Sequence, residues 1–67
     1  MSRRNSLFAD RLRFLREAAG LSIPQLAAAA GLARQTIHLL EQGKRQPSLA
    51  TAARLSRSLR VNLSEFA

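Results

Sequence analysis

The side chains best suited to recognising a ligand are concentrated between residues 33 and 42. Wound as a helix at about 100° per residue, this segment places Gln35, His38 and Leu39 on one outward face. A Gln amide can bridge N6 and N7 of adenine, His can meet guanine acceptors, and Leu can contact a thymine methyl. Arg34 is grouped with them as a base contact, although its first-turn position also suits a phosphate. The alternative is a solvated face on which Gln and His only add solubility.

The residues that flank this segment suit contacts with phosphate groups. Thr36 lies in its first turn, Lys44 and Arg45 follow it, and Ser22 precedes a helix whose N-terminal N–H groups could bind an anion. We predict phosphate contacts for these four residues. Arginines 11 and 13 are further candidates, whereas arginines 54, 57 and 60 are predicted to form a solvated face, with a second anionic contact as the alternative.

Charge and composition restrict the class of partner. The 67 residues include 11 Lys and Arg against four Asp and Glu, which gives a net charge of +7. This charge favours a polyanionic partner, but it does not distinguish among nucleic acid, an anionic membrane and an acidic protein.

No Cys and only one His are present, so we expect no disulfide, metal site or cofactor. No apolar run suits a membrane span or signal peptide, and we predict a soluble cytoplasmic protein without membrane contact.

The chain is not predicted to be an enzyme. Its carboxylates, at Asp10, Glu17, Glu41 and Glu65, show no spacing typical of acid–base catalysis. No combination of Ser, His and Asp is placed to activate a nucleophile.

Apolar periodicity predicts an all-α domain of five helices. Pro and Gly divide the chain into short segments in which apolar residues recur at intervals of three and four. The predicted helices cover about 7–19, 23–30 and 33–42, a fourth follows Ser48, and a last short turn follows Asn62, which forms a capping-box-like pattern with Glu65. Gly20 and Gly31 end the first two helices, and Ser22 and Ser48 are the predicted N-caps of the second and fourth. The predicted inward residues are Phe8, Leu12, Leu15, Ala19, Leu26, Ala27, Ala30, Ala33, Ile37, Leu40, Glu41, Leu49, Ala52, Leu55, Ser56 and Leu59.

Four positions in 23–42 fit the requirements of two helices that cross steeply after a short turn. Ala27 is small enough for close contact, Gly31 can take a positive φ, and Ile37 and Leu40 are apolar knobs on the second helix. An ordinary corner in a small helical bundle would satisfy the same pattern.

The flanking sequence distinguishes these possibilities because it resembles the helix-turn-helix family of phage repressor and Cro proteins, the Xre family. The resemblance spans nearly the whole chain, and its most specific part is Glu-x-Gly-Lys-x-x-Pro-Ser at 41–48. It implies one compact lambda-repressor-like domain over 1–67 that binds double-stranded DNA, with the helix 33–42 in the major groove, as a homodimer. The chain departs from the family at Ile23, where relatives carry a polar residue, and at Ala33, where they favour a Ser or Thr cap.

The resemblance also implies a salt bridge between Arg16 and Glu41 that joins the first and third helices. The alternative is two independent surface charges of almost no energetic value. For the dimer interface we predict Leu63 and Phe66. Phe14 either packs under the last helix or joins these residues and Val61 in an exposed patch.

From these features we predict a sequence-specific DNA-binding transcriptional regulator of bacterial or phage type, associated with the nucleoid. Two related alternatives are an antitoxin, which would add a toxin as partner, and a restriction-modification controller. A protein-interaction scaffold is the alternative of a different class.

Overall fold

The computed structural model describes residues 6–66, which form four α-helices and one short 3₁₀ helix. The helices are α1 (Ser6–Ala18), α2 (Ile23–Ala30), α3 (Arg34–Glu41) and α4 (Leu49–Leu59), and the 3₁₀ helix covers Leu63–Phe66. No strand occurs within these residues. The all-α class is therefore confirmed, while the predicted count of five helices is corrected to four α-helices and a closing 3₁₀ turn.

The caps that the sequence predicts set most helix boundaries. The Ser22 hydroxyl accepts a hydrogen bond from the Gln25 N–H, and the Gln25 side chain accepts one from the Ser22 N–H, which makes a complete capping box. Ser48 caps α4 in the same manner by accepting from the Thr51 N–H at 3.0 Å. Gly31 ends α2 in the left-handed conformation at φ 69°. Arg60, with φ 59°, fills the same role after α4 and is the one non-glycine residue with positive φ within 6–66.

Five branched aliphatic side chains from all four α-helices form the centre of the core. α1 packs against α3, α2 packs against both α3 and α4, and the 3₁₀ helix closes over α1 and α4. The Phe66 ring lies 4.9 Å from the Phe8 ring, centroid to centroid, and is buried. The fully buried residues at the centre are Leu12, Leu26, Ile37, Leu40 and Leu55.

Several predicted positions differ in the structure. Leu49, predicted to face inward, is 75% exposed because it starts α4 beyond the edge of the core. Ala19 and Ala33 are also exposed, since α1 ends at Ala18 and Ala33 is the residue before α3. Ala9, which was not predicted, is buried instead.

The structure also places two aromatic side chains: Phe14, whose position the sequence left open, and Phe66, which was predicted at the dimer interface. Phe14 is 62% exposed and therefore does not pack under the last helix. Phe66 belongs to the core of its own chain, which leaves little of its ring for the predicted subunit interface.

Candidate nucleic-acid interface

A tight corner between α2 and α3 fixes the orientation of the outward face of α3. The Gly31 N–H donates back to α2, and the Leu32 N–H donates to the Ala27 carbonyl at 2.9 Å. Ala27 is 2% exposed at this contact, and Ile37 and Leu40 are buried beneath α3. A Cβ on residue 31 would lie 3.1 Å from Nη1 of Arg54, in addition to the strain of its positive φ. The four roles predicted for this corner agree with the structure.

The outward side of α3 is open to solvent where base contacts were predicted. Arg34, Gln35 and His38 are exposed, and Leu39 is half-buried beside them. An open groove runs between α3 and the first turn of α2 and is lined by Ile23, Pro24, Ala33, Arg34, Gln35 and His38. The first turn of α2 and the face of α3 therefore form one continuous surface, which we call the α3 face.

The predicted phosphate-contacting residues border this surface. Ser22 is exposed at the start of α2, and its hydroxyl oxygen already accepts the capping hydrogen bond. Thr36 is half-buried in the first turn of α3, a position that restricts its approach to a phosphate. Lys44 and Arg45 are exposed after α3.

The loop after α3 is held to the helix rather than free. The Gly43 N–H donates to the Leu40 carbonyl at 3.2 Å, and the Lys44 N–H donates to the Leu39 carbonyl at 3.0 Å. Gly43 takes a positive φ of 73° that makes this arrangement possible. The backbone of Lys44 is therefore fixed relative to α3. The Lys44 side chain is exposed and follows the C-terminal end of α3.

The charges around the α3 face are positive. Arg34, Lys44 and Arg45 form no salt bridge within residues 7–66. The exposed carboxylates of that region are on α1 and in the 3₁₀ helix, at Asp10, Glu17 and Glu65. A polyanion that approaches the α3 face therefore meets cations and neutral polar groups, without an exposed carboxylate on the face itself.

The one carboxylate of α3 is turned inward and neutralised. Arg16 donates from Nε to Oε2 of Glu41 at 2.6 Å and from Nη2 to Oε1 at 3.0 Å, which is a bidentate pair. The side chains are 13% and 3% exposed, so the prediction of a buried pair is confirmed. Arg16 also donates to the Leu21 carbonyl at 2.9 Å, and Arg13 lies 3.7 Å from Glu41. The pair thereby fastens α1 to α3 and to the turn before α2.

Hydrogen bonding to Glu41 raises the pKa of the Arg16 guanidinium above its ordinary value. The charges of Glu41 and Glu17 act in the same direction, while burial opposes them. Because the folded-state pKa is raised, the contribution of this group to stability is fully present below its unfolded value and is lost only in strong alkali.

Two features of the site were missed by the sequence reasoning. The Gln25 side chain completes the capping box, and the Ser-x-x-Gln spacing at 22–25 could have shown it. Ile23 and Pro24 form one wall of the groove, whereas from the sequence Ile23 was noted only as a departure from the polar residue of the family. Among the described residues no group of His, Cys, Asp and Glu is arranged to hold a metal ion. No helix there is long and apolar enough to cross a membrane.

Comparison with known proteins agrees with this architecture. The family model described as "Helix-turn-helix domain" matches residues 7–67. Among solved structures, the restriction-modification controller protein C.AhdI from Aeromonas hydrophila superposes with a TM-score of 0.91 at 36% identity, over 94% of this chain and 96% of that chain. An HTH_3 family transcriptional regulator from Vibrio cholerae superposes with a TM-score of 0.89 at 29% identity, over 92% of this chain but 35% of that chain. No curated protein matches the sequence.

Proposed function

Because this chain belongs to the helix-turn-helix family of DNA-binding regulators, we propose that it recognises a specific operator by inserting α3 into the major groove. The observation that carries the proposal is the α3 face. It presents neutral hydrogen-bonding side chains at its centre and unpaired cations at its ends. Regulation by occupancy of an operator requires no catalysis, and we assign none to this chain.

We assign the base contacts to the exposed first turns of α3. Gln35 and His38 project from the groove-lining side of the helix, where side chains in a major groove reach base edges. Arg34 begins the same helix and is placed with them, and Leu39 offers an apolar edge suited to a thymine methyl. Together these four side chains would contact a short run of DNA base pairs, which corresponds to one half-site of the operator.

We assign the phosphate contacts to the borders of the α3 face. Lys44 and Arg45 are the principal ones because both are exposed and neither has a carboxylate partner within residues 7–66. Ser22 contributes through the N-terminal end of α2, and Thr36 contributes less because it is half-buried. These contacts supply affinity and fix the orientation of α3 without reading sequence.

We further propose that the chain acts as a homodimer on a two-fold operator. A single domain of this size presents too little surface for operator-level specificity, and dimers of this motif bind half-sites about 10 base pairs apart. Leu63, at 41% exposed, remains available to the predicted C-terminal interface, whereas Phe66 does not.

A restriction-modification controller is the second candidate function. It is favoured by the resemblance to C.AhdI, which extends over 94% of this chain at 36% identity. Selection of bound sequences from random duplex DNA, followed by a search for the selected site in the source genome, tests this role. A site next to the gene for this chain and a restriction gene supports it, and sites only at unrelated genes contradict it.

The DNA-binding mode is tested by a pair of variants on the selected operator and on random duplex DNA. We expect Gln35→Ala to lose about 1–3 kcal/mol of operator affinity, to relax preference at one base pair, and to change random-duplex binding little. Arg45→Ala, the matched control, should weaken both DNAs alike and reduce the salt slope by about one. If Gln35→Ala weakens every duplex equally while Arg45→Ala changes the preferred sequence, α3 is not the reading helix.

A further inference from the structure

The groove beside α3 has an apolar side that the assigned base and phosphate contacts do not use. Ile23 and Pro24 form this side in the first turn of α2, and Ala33 adds a methyl group at the start of α3. The other residues that line the groove are polar and belong to α3. We call Ile23, Pro24 and Ala33 the apolar wall, because none of their side chains can form a hydrogen bond.

Both departures of this chain from the Xre family pattern lie in the apolar wall. Ile23 stands where relatives carry a polar residue, and Ala33 stands where they favour Ser or Thr. The change at Ala33 has a cost, because α3 then begins without a side-chain cap. Core packing does not account for Ala33, which is exposed, and accounts only in part for Ile23, which is half-buried. The two departures together indicate that this side of the groove meets an apolar group.

The apolar wall is held in place by its own helix turn and by the core. Ile23 packs against the hydrophobic core, and Pro24 has its φ fixed by its ring in the first turn of α2. The capping box closes the same turn through hydrogen bonds of 2.8 and 3.2 Å between Ser22 and Gln25. A group that enters the groove therefore meets an apolar surface that is already ordered, which reduces the entropy cost of the contact.

We propose that the apolar wall reads the C5-methyl group of a pyrimidine in the operator. This inference rests on the proposed placement of α3 in the major groove. The base edges there present hydrogen-bond donors and acceptors and one apolar group, the C5-methyl of thymine. The base 5-methylcytosine carries the same group on the same carbon. Apolar side chains on the α3 face therefore have one kind of base contact open to them, and Ile23 and Pro24 become specificity-determining residues.

The composition of the groove allows a methyl contact and hydrogen bonds at the same time. Gln35 and His38, which are assigned to base edges, line the groove together with the apolar wall. The wall contacts the methyl group and not the substituent at C4 of the ring, so it does not separate thymine from 5-methylcytosine. Leu39, the other apolar candidate for a methyl contact, does not line the groove and would contact a different base.

Replacement of single thymines by deoxyuridine in the selected operator tests the proposal without any change to the protein. Uracil lacks only the C5-methyl group and keeps every hydrogen-bonding group of thymine. At one thymine of the half-site we expect the replacement to weaken binding about fourfold, which corresponds to about 0.8 kcal/mol for one buried methyl group. Fluorescence anisotropy at constant salt measures the two Kd values. The proposal is overturned if no thymine of the half-site shows a loss above about 1.5-fold, or if the selected half-site contains no thymine.

A pair of variants assigns the methyl contact to the apolar wall. In Ile23→Gln the ratio of Kd values for deoxyuridine and thymine operators should fall from about fourfold to below about 1.5-fold at that position. Leu39→Gln, the matched control, should leave the ratio unchanged there. The ratio compares two duplexes on one protein preparation, so a partly unfolded variant still gives a valid value. If Ile23→Gln does not fold, Pro24→Ser at the exposed part of the wall should lower the ratio to about twofold. Loss of the ratio in Leu39→Gln alone would overturn the proposal.

Operators with cytosine or 5-methylcytosine at the same position distinguish the two sources of the methyl group. We expect methylation of this cytosine to tighten binding about fourfold, as thymine does relative to uracil, so the chain would respond to cytosine methylation. A gain with thymine alone assigns the wall to thymine, and no gain in either comparison overturns the proposal. Failure of the proposed function looks different, because no duplex would then bind more tightly than random DNA. A preferred operator without any methyl effect refutes this inference alone.

Discussion

The bidentate pair between Arg16 and Glu41 should be essential to stability. Removing Arg16 and removing Glu41 should lower the free energy of unfolding by different amounts. Arg16→Met leaves a carboxylate that is 3% exposed, with only the Arg13 guanidinium nearby at 3.7 Å. Glu41→Gln leaves a guanidinium that is 13% exposed, still bound to the Leu21 carbonyl, with an amide oxygen in place of the lost carboxylate. The stranded carboxylate is the more deeply buried charge, so Arg16→Met should be the more destabilising change.

The magnitudes follow from the burial of the two groups. Breaking a buried pair by removing one partner typically costs about 3–5 kcal/mol, and we expect Arg16→Met to fall in that range. Glu41→Gln loses one charge-assisted interaction but keeps an acceptor, so about 1.5–3 kcal/mol is expected. For a domain of this size each kcal/mol corresponds to about 4–8 °C in Tm. The total stability expected for this length is only about 3–10 kcal/mol, so Arg16→Met could be largely unfolded at 37 °C.

Urea unfolding at low temperature, followed by circular dichroism, measures these differences while every variant still folds. The double variant Arg16→Met with Glu41→Gln should be more stable than the sum of the single losses predicts, because no buried charge is then stranded. Arg13→Met is the control, and its exposed side chain should cost less than about 1 kcal/mol. Additive losses below about 1 kcal/mol for both single variants would refute a buried, coupled pair.

Three further predictions concern caps and charge. Ala33→Ser should supply the side-chain cap that α3 lacks and raise stability by about 1 kcal/mol, and a decrease in Tm would contradict that explanation. Arg60→Gly should raise the free energy of unfolding by about 0.5–1 kcal/mol, because glycine adopts the positive φ of this position without strain. The control Arg57→Gly, inside α4, should lower it by a similar amount. Equal effects of the two substitutions in urea unfolding would show that the positive φ is not the cause. With Lys44 and Arg45 on phosphates, affinity per chain should fall about 12-fold between 50 and 200 mM salt, and a flat dependence in a mobility-shift titration would exclude phosphate contact.

The fold was largely predictable because local signals and the core pattern agree. Ser22 and Ser48 cap their helices and Gly31 ends α2 as the sequence indicates, since each cap depends on residues within one turn. Leu49 was misplaced because helical periodicity defines a face but not how far the neighbouring helices extend along it. The burial of Phe66 depends on the stacking of its ring with Phe8, a contact between the two ends of the chain that periodicity alone cannot show.

The candidate site was predictable in its residues but less so in its shape. The α3 side chains follow from the winding of one helix, and the pairing of Arg16 with Glu41 followed from the family resemblance. The wall formed by Ile23 and Pro24 depends on how closely α2 approaches α3, which only the structure shows. The base and phosphate assignments, and the homodimer, remain predictions.

Because α3 begins without a side-chain cap, its first turn should be the part of the α3 face least protected from hydrogen exchange. Ala33 offers no side-chain acceptor, so the Thr36 N–H, which corresponds to the Gln25 and Thr51 N–H groups that donate to serine hydroxyls in α2 and α4, has only the Ala33 carbonyl at 3.1 Å. The Thr36 amide proton should exchange with solvent faster than those of Gln25 and Thr51. On an operator, a nearby phosphate or base could order this turn, so recognition would include a local gain in helical order. Exchange at the Thr36 amide should then slow on the operator more than on random DNA, so hydrogen exchange would report directly on the contact between α3 and the operator.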